Sequence, residues 1–319
     1  MYRFYREELP EKEKFIYDLM LTSFERQEIE IKVPLLDEEK IKQLFKYVLY
    51  DNPLIFYVEG LVTKKKFLSS RISLYPKYNY SKEEIERLTK ACLAKAKNIL
   101  EYGKNFSKYD YEILIHDLFC KKIKYHNDGK DSFNIVGALL NKRAVCSGIA
   151  KATNLLMDLK NIKSIFVEGI YKDGARTEKH AWNKVEINSN WYNLDITQDI
   201  SFSNCGVVRH DCFNVADSGL INYTSFSKEK FPICCSIEEN FYIKNHLIFS
   251  TEREIESYIR NMLNERFKSF SFKWAGYKEN GLKWVERCLI KILKDVDEIY
   301  NYQLYHNNVN SIISIIIEK

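Results

Sequence analysis

Residues 180–197 read HAWNKVEINSNWYNLDIT and contain two strand-like runs around a polar turn. The predicted strands are His180 to Ile187 and Trp191 to Thr197, and Asn188-Ser189-Asn190 is typical of a β-hairpin turn. In a hairpin with a two-residue turn, an even-numbered residue pairs with an odd-numbered one, so side chains of unlike parity share a face. We therefore expect His180 and Asp195 on one face, whether Asn188-Ser189 or Ser189-Asn190 forms the turn. In the first of these two registers they are diagonal neighbours. A three-residue turn would place them on opposite faces.

A histidine held by a carboxylate is suited to proton transfer. The carboxylate binds one ring nitrogen and fixes the tautomer, so that the other nitrogen can take a proton from a thiol. Each residue also has an ordinary structural interpretation, because a strand histidine can be satisfied by its neighbours and a strand-end aspartate can bond a turn. His180 and Asp195 become a catalytic hypothesis only together with a nucleophile.

Cys146 is the predicted nucleophile. It lies in Val145-Cys146-Ser147-Gly148, where a loop is expected to enter a helix with apolar residues at Ile149, Ala152, Leu155 and Leu156. The positive end of the helix dipole and the free backbone N–H groups favour a thiolate at this position. A small buried cysteine at a helix start is the competing interpretation.

The composition indicates a soluble globular protein. The chain has 319 residues, of which 45% are hydrophobic and 29% charged, and its net charge of +5 is too mild to indicate a nucleic-acid partner. Its most apolar run, Ile312 to Ile317, is too short to span a membrane, and the first residues carry both signs of charge, unlike a secretory signal. The eight scattered cysteines favour reduced thiols, and we expect a cytoplasmic protein.

Hydrophobic periodicity predicts alternating helices and strands on both sides of this region. We expect an N-terminal mixed α and β region over residues 1–105, a core over 106–245 and a C-terminal α/β region over 246–319. A capping box of Ser81 and Glu84 begins one of the predicted helices. The predicted segments are helices 11–26, 37–50, 81–99, 107–123 and one from Cys146; extended runs 55–62, 70–75 and 164–171; a polar loop 172–179; a loop-rich stretch 198–241; and helix and strand patterns that include 266–274 and 281–299.

The order of these motifs resembles the transglutaminase-like superfamily. The resemblance is carried by Ala144-Val145-Cys146-Ser147-Gly148, Glu168-Gly169, His180-Ala181-Trp182-Asn183 and Trp191-Tyr192-Asn193-Leu194-Asp195, and it extends from His116-Asp117 to His210-Asp211-Cys212-Phe213-Asn214. Bacterial members have Cys, His and Asp in the same order. The resemblance implies an α+β, papain-like core in which a central helix carries the cysteine and an antiparallel sheet carries the histidine and the aspartate.

The resemblance also implies a reaction. Cys146 would attack a carboxamide or peptide carbonyl of a protein or peptide substrate, His180 would move the proton, and Asp195 would orient His180, with neither cofactor nor metal. Water or an amine would resolve the thioester, giving cross-linking, deamidation or peptide cleavage. Tyr125 is a candidate oxyanion donor beside the backbone N–H of Cys146, but a buried aromatic packed on the helix is the favoured interpretation of this residue. The alternative function is a catalytically silent protein-interaction module with the same fold.

Three positions depart from the family pattern, and two further groups are set aside. Relatives often have Gly at the position of Ala144, an aromatic residue at that of Ile149 and Trp at that of Gln198, so the walls of the site and its substrate stay open. The group Cys205, His210, Cys212, Cys234 and Cys235 lacks any Cys-x-x-Cys pair and is not predicted to bind zinc. His116 and His126, near a helix end, are expected to be solvated or capping residues.

Overall fold

The computed structural model describes residues 2–65, 69–203, 206–225, 231–277, 279–295 and 301–318. Its N-terminal part combines three helices with a small antiparallel sheet of strand order β1-β3-β2. The elements are α1 (Phe4–Glu7), α2 (Glu11–Glu25), β1 (Ile31–Pro34), α3 (Glu38–Asp51), β2 (Val58–Lys65) and β3 (Arg71–Tyr78). The helices predicted over 11–26 and 37–50 are confirmed to within one residue at each end.

The middle of the chain places helices beside an antiparallel sheet of strand order β8-β7-β6-β9. Helix α6, the helix predicted to begin at Cys146, packs against β6 and β7. The elements are α4 (Lys82–Tyr102), α5 (Lys108–Lys122), β4 (Lys124–Tyr125), β5 (Arg143–Ala144), α6 (Cys146–Leu159), β6 (Ser164–Asp173), β7 (Arg176–Ile187), β8 (Asn190–Leu194), α7 (Ile196–Ser203) and β9 (Tyr223–Ser225).

The C-terminal part has a mixed sheet with strand order β10-β11-β13-β12, in which only the β10–β11 pair is parallel. Strand β13 supplies a row of isoleucines to a separate hydrophobic cluster that also includes residues of α9 and α10. The predicted segment 281–299 is a helix to Lys294, and its last residues lie outside the described ones. The elements are α8 (Phe241–Lys244), β10 (Ile248–Phe249), α9 (Glu252–Asn264), β11 (Ser269–Trp274), α10 (Gly281–Lys294), β12 (Asn301–Asn307) and β13 (Ile312–Glu318).

Local sequence signals explain where the main helices begin. The side chain of Ser81 accepts a hydrogen bond from the backbone N–H of Glu84, and the carboxylate of Glu84 bonds back to Ser81, so the predicted capping box is confirmed. Helix α6 buries the predicted apolar residues Ile149, Ala152, Leu155 and Leu156. The hydrophobic effect therefore holds α6 against the sheet, with its first residue at one edge of the contact.

Two of the predicted boundaries are wrong. The polar stretch 172–179 is not a loop, because β6 runs to Asp173 and β7 starts at Arg176, which leaves a tight turn at Gly174 and Ala175. The strand predicted to reach Thr197 ends at Leu194, and helix α7 follows at once. Polar side chains do not end a strand whose backbone stays paired, and the helix start at Ile196 fixes the end of β8.

The main hydrophobic cluster extends from Phe4 to Leu220 and joins the N-terminal helices to the middle sheet. This alternation of helices with largely antiparallel sheets is compatible with the α+β class. The proposed division at residues 105 and 245 stays a prediction. Among the described residues, helices are either too short or too polar to cross a membrane.

Candidate active site

Cys146 is the first residue of α6, and a neighbouring loop holds its backbone. Val145 before it is extended, and the N–H of Val145 donates to the carbonyl of Ser132 at 3.0 Å. A Cβ added at Gly148 would lie 2.4 Å from that same carbonyl oxygen, so only glycine permits the close approach. The thiol is partly exposed at the N-terminal end of the helix.

The β7–β8 hairpin has the register expected from a two-residue turn. Asn188 and Ser189 form the turn with φ values of 50° and 66°, and Ile187 pairs with Asn190. Positive φ at both central positions is the property of the type I′ turn, whose twist matches that of the flanking strands. The first of the two predicted registers is therefore confirmed, and it directs His180 and Asp195 to the same face.

Asp195 joins β8 to α7 and uses both carboxylate oxygens. One oxygen, Oδ1, accepts the backbone N–H of Gln198 at 3.1 Å, which caps the start of α7. The other, Oδ2, lies 2.6 Å from Nε2 of His180 and accepts the hydroxyl of Tyr223 at 2.8 Å. Because its side chain is only 1% exposed, this carboxylate is held by donors rather than by water.

The surroundings of His180 favour its protonated form. With Nε2 bound to Asp195, the other ring nitrogen is left for the Cys146 thiol, whose hydrogen bond and charge act on the ring. Burial lowers the pKa of His180, but the charge and hydrogen bond of Asp195, together with Cys146, outweigh burial and raise the pKa to about 10. An imidazolium next to a thiol is the arrangement of an activated thiolate.

Aromatic rings surround this pair, and two of them were not predicted as site residues. Tyr223 packs edge-on against His180 and Trp182, with ring centroids 5.8 and 5.2 Å apart, and Trp182 lies nearly parallel to His180. Burial, followed by the charge of Asp195, raises the pKa of Tyr223 well above its ordinary value, so its hydroxyl remains a donor. The rings keep water away from the hydrogen bond between His180 and Asp195.

Gly169 allows Tyr223 to reach the site. It pairs with His180 on one side and with Ser225 of β9 on the other. A Cβ at this position would lie 2.1 Å from the carbonyl oxygen of Thr224 and 2.9 Å from the ring of Trp182. The Glu168-Gly169 part of the family pattern thus has a steric reason, since any side chain would push β9 away from β6.

Tyr125 lies on β4 and pairs with Ala144 of β5, which is two residues before Cys146 in the sequence. Tyr125 is 45% exposed, so the favoured interpretation of a buried aromatic packed on the helix is wrong. Its role as an oxyanion donor stays a prediction. Of the three departures from the family pattern, Ala144 and Ile149 are buried, whereas Gln198 lines a cleft with Tyr171 and Tyr223.

A second polar cluster joins α5, α7 and His210, and it shows that the expectation of a solvated or capping His116 is wrong. This histidine is fully buried, with Nδ1 at 3.1 Å from Asp117 and Nε2 at 3.0 Å from Asp199, and His210 also binds Asp117, at 2.8 Å. His116, Asp117 and His210 are close enough to hold a metal ion. However, both nitrogens of His116 already face carboxylates, which leaves no free lone pair for a metal. We assign the cluster a structural role.

That cluster is connected to the candidate triad through one backbone segment. The carboxylate of Asp199 accepts the N–H of Cys212 at 3.0 Å, and the carbonyl of Cys212 accepts the N–H of Asp195 at 3.1 Å. His126, in contrast, is exposed as expected and pairs with Asp128. Cys205, a member of the rejected zinc group, lies outside the described residues. His116 therefore helps to position the backbone of Asp195 through Asp199 and Cys212.

Comparisons with known proteins give one family and several distant structures. Residues 84–196 match the family model described as the transglutaminase-like superfamily. The chain is similar to the solved structure of a TGase, with 13% identity and a TM-score of 0.31 over 53% of this chain and 50% of that one, so it spans half the length of that protein.

Two further solved structures are similar at an equally low or lower level. One is a candidate cysteine protease from Cytophaga hutchinsonii, with 13% identity and a TM-score of 0.31 over 56% of this chain and 79% of that one. The other is a candidate protease from Parabacteroides distasonis, with 9% identity and a TM-score of 0.27 over 43% of this chain and 36% of that one. A search of curated proteins gives no match.

Proposed function

We propose that this chain, whose residues 84–196 belong to the transglutaminase-like superfamily, uses Cys146, His180 and Asp195 as a catalytic triad for acyl chemistry on amide groups of proteins or peptides. The observation that carries the proposal is the buried 2.6 Å contact between Nε2 of His180 and Asp195, which leaves the other ring nitrogen to the thiol at the start of α6. A papain-like core is the arrangement that this geometry supports.

The proposed reaction has two halves. The Cys146 thiolate attacks the amide carbonyl, a carbon–sulfur bond forms, and the His180 imidazolium gives its proton to the leaving amine as the carbon–nitrogen bond breaks. In the second half, His180 removes a proton from water or an amine, which attacks the thioester; the carbon–sulfur bond breaks, and the Cys146 thiolate and the His180 imidazolium are restored. Asp195 holds the imidazole in one tautomer throughout and stabilises its protonated form.

Developing negative charge on the carbonyl oxygen needs donors. The backbone N–H of Cys146, which has no partner one helical turn earlier, is suited to this role, and Tyr125 is the proposed second donor. Tyr125→Phe would remove the donor and keep the ring. If the proposal holds, this change lowers kcat by at least tenfold while the alkylation rate of Cys146 stays constant, because alkylation generates no oxyanion.

Selective alkylation tests whether Cys146 is a nucleophile. Exposed Cys235 is the reference thiol, because its accessibility alone sets a baseline rate. Burial raises the pKa of Cys92 to about 12 and those of Cys234 and Cys288 to about 11, so these thiols should react slowly at neutral pH. We expect iodoacetamide to label Cys146 at least tenfold faster than Cys235, as measured by peptide mass spectrometry with time.

Replacement of His180 by Gln should remove this advantage, since the neutral amide cannot take the thiol proton. Equal labelling of Cys146 and Cys235 in the unaltered protein would count against the triad. The reaction type is then read from products: mass spectrometry of treated proteins separates cross-links, deamidation and cleavage, with Cys146→Ala as the inactive control. If Cys146→Ala keeps every cellular effect of the protein, the chain acts as an interaction module instead.

A further inference from the structure

Lys151 lies close to the nucleophile on helix α6. The side chains of Ser147 and Lys151, four residues apart on one face of the helix, both reach the carbonyl oxygen of Phe133, at 3.3 and 3.5 Å. The ammonium also lies 5.8 Å from the ring centroid of Phe166. It is therefore placed at the end of α6 that presents Cys146.

An apolar wall connects this lysine to the thiol. Ala150, Phe166 and Ala181 form a small buried cluster, and Cys146 and Tyr50 pack against its edge. Tyr50 belongs to α3, and its ring lies 4.7 Å from that of Phe166. Cys146 and Lys151 are both partly exposed beside this buried cluster, so a substrate that brings a carbonyl to Cys146 would meet the ammonium of Lys151.

Glu168 is the acidic residue whose charge acts on Lys151, and its carboxylate already has other partners. Oε2 of Glu168 accepts the hydroxyl of Tyr50 at 2.7 Å and pairs with the ammonium of Lys46 at 3.1 Å. Over the described part of the chain, no carboxylate lies within ion-pair distance of Lys151, whose hydrogen bond to Phe133 is long. Burial lowers the pKa of Lys151 below its ordinary value, and the charges of Glu168 and Cys146 offset burial only in part. An anionic ligand would stabilise a cation in this position through a charge-assisted hydrogen bond.

We propose that Lys151 binds a carboxylate of the acyl donor, so that the site selects amide substrates with an anionic group next to the reacting carbonyl. The proposal rests on the proposed function where it calls this ligand an acyl donor. The carboxylate can belong to an acidic side chain flanking the target amide or to a free chain end. Both present the same chemistry to the ammonium, and the experiment separates them.

The test compares two alkylating reagents that differ in charge. In each case a carbon–sulfur bond to Cys146 forms, the carbon–iodine bond breaks and iodide leaves, but iodoacetate carries a carboxylate and iodoacetamide does not. A unit charge about 6 Å from the reagent carboxylate, at an effective dielectric constant of about 40 to 80, changes the rate by about three- to tenfold. We expect Lys151→Met to lower the ratio of iodoacetate to iodoacetamide rates by that factor.

Matched variants make this result specific. Lys151→Arg keeps the charge and should keep the ratio, and Lys151→Glu should lower it further than Lys151→Met. Lys90→Met removes the same charge from an exposed position on α4 and should leave the ratio unchanged. If Lys151 only stabilised the thiolate, Lys151→Met would slow both reagents alike. An unchanged ratio, with or without such slowing, overturns the proposal.

Chloroacetyl compounds then identify the source of the carboxylate. Chloroacetyl-glutamic acid amide carries it on a side chain, chloroacetylglycine carries it at the chain end, and chloroacetyl-glutamine amide is the neutral reference. A Lys151-dependent preference for the first points to an acidic side chain and for the second to a free chain end, whereas no preference for either overturns the proposal. Alkylation requires no turnover, so this outcome is distinct from a failure to find amide products.

Discussion

Tyr223→Phe removes one hydrogen-bond donor from the buried carboxylate of Asp195 and keeps the aromatic ring. The hydroxyl of Tyr223 lies 2.8 Å from Oδ2, the same oxygen that His180 approaches to 2.6 Å. The edge-on contacts of the ring with His180 and Trp182 do not need the hydroxyl. The substitution therefore tests the hydrogen bond without opening a cavity.

The size of the effect follows from the charge of the acceptor. A hydrogen bond to an ionised group contributes about 1.5 to 3 kcal/mol, roughly twice the contribution of a neutral one. Because the carboxylate is 1% exposed, water cannot replace the lost donor without rearrangement. We expect Tyr223→Phe to lower the free energy of unfolding by about 2 kcal/mol. It should also slow alkylation of Cys146, since a less well-held Asp195 orients His180 less firmly.

A double-mutant cycle, followed by urea denaturation, measures the contribution of this hydrogen bond to the free energy of unfolding. Tyr223→Phe is introduced into the unaltered protein and into Asp195→Asn, where the acceptor is neutral. The cost should fall to about 1 kcal/mol or less in the second background, because a neutral acceptor gives a weaker bond. An equal cost in both backgrounds would refute the reasoning, because the hydroxyl would then act through something other than the charge of Asp195.

Four further outcomes follow from the geometry and from the raised pKa of His180. Gly169→Ala should destabilise the protein by about 1 to 3 kcal/mol and slow alkylation of Cys146, since its Cβ would lie 2.1 Å from the carbonyl of Thr224 and displace β9. Ser189→Gly should raise the free energy of unfolding by about 0.5 to 1 kcal/mol in urea denaturation, because Ser189 has a φ of 66° in the turn. Acyl transfer should fall as the pH rises through about 10, the pKa of His180, where the general acid loses its proton. The stability from this raised pKa is complete below about pH 6.5 and is lost by about pH 10, which thermal denaturation against pH can follow, with Asp195→Asn as the control.

The hairpin that joins His180 to Asp195 was predictable because its information is local. Strand periodicity and the Asn188-Ser189 turn together allow few registers, and parity alone decides which side chains share a face. The helix start at Cys146 is local in the same sense, since an extended residue before an apolar helical pattern marks it. Local signals thus explain how the candidate residues could be named from sequence.

Tyr223 could not be named in this way. It lies 28 residues from Asp195 along the chain, on a strand of three residues, Tyr223–Ser225. Within the described part of the chain, this strand pairs only with part of β6. A strand this short, after a loop-rich stretch, has no periodicity of its own. The only local trace is Gly169, whose missing side chain makes room for β9, and a lone glycine in a strand does not say which segment approaches it.

His116 was misjudged because burial is also a non-local property. The sequence interpretation placed it near a helix end and in solvent, but His116 lies in the middle of α5. Asp199 and His210, which cover it, come from segments more than 80 residues later. A buried histidine between two carboxylates is costly to create unless the cluster is complete. Its presence behind α7 is consistent with a need to fix the backbone at Cys212, and hence at Asp195, rather than with solvation of a helix end.

The end of strand β8 shows how one residue can serve the fold and the site together. A strand continued to Thr197 would have held Asp195 by its backbone alone, with its carboxylate free to turn. Instead the chain leaves the sheet at Leu194, and Oδ1 of Asp195 caps α7 through Gln198. With one oxygen committed to the helix, the other is fixed in direction and meets His180 and Tyr223. Asp195 followed three residues later by Gln198 is itself a helix-start signal, so the sequence contained the reason for this geometry.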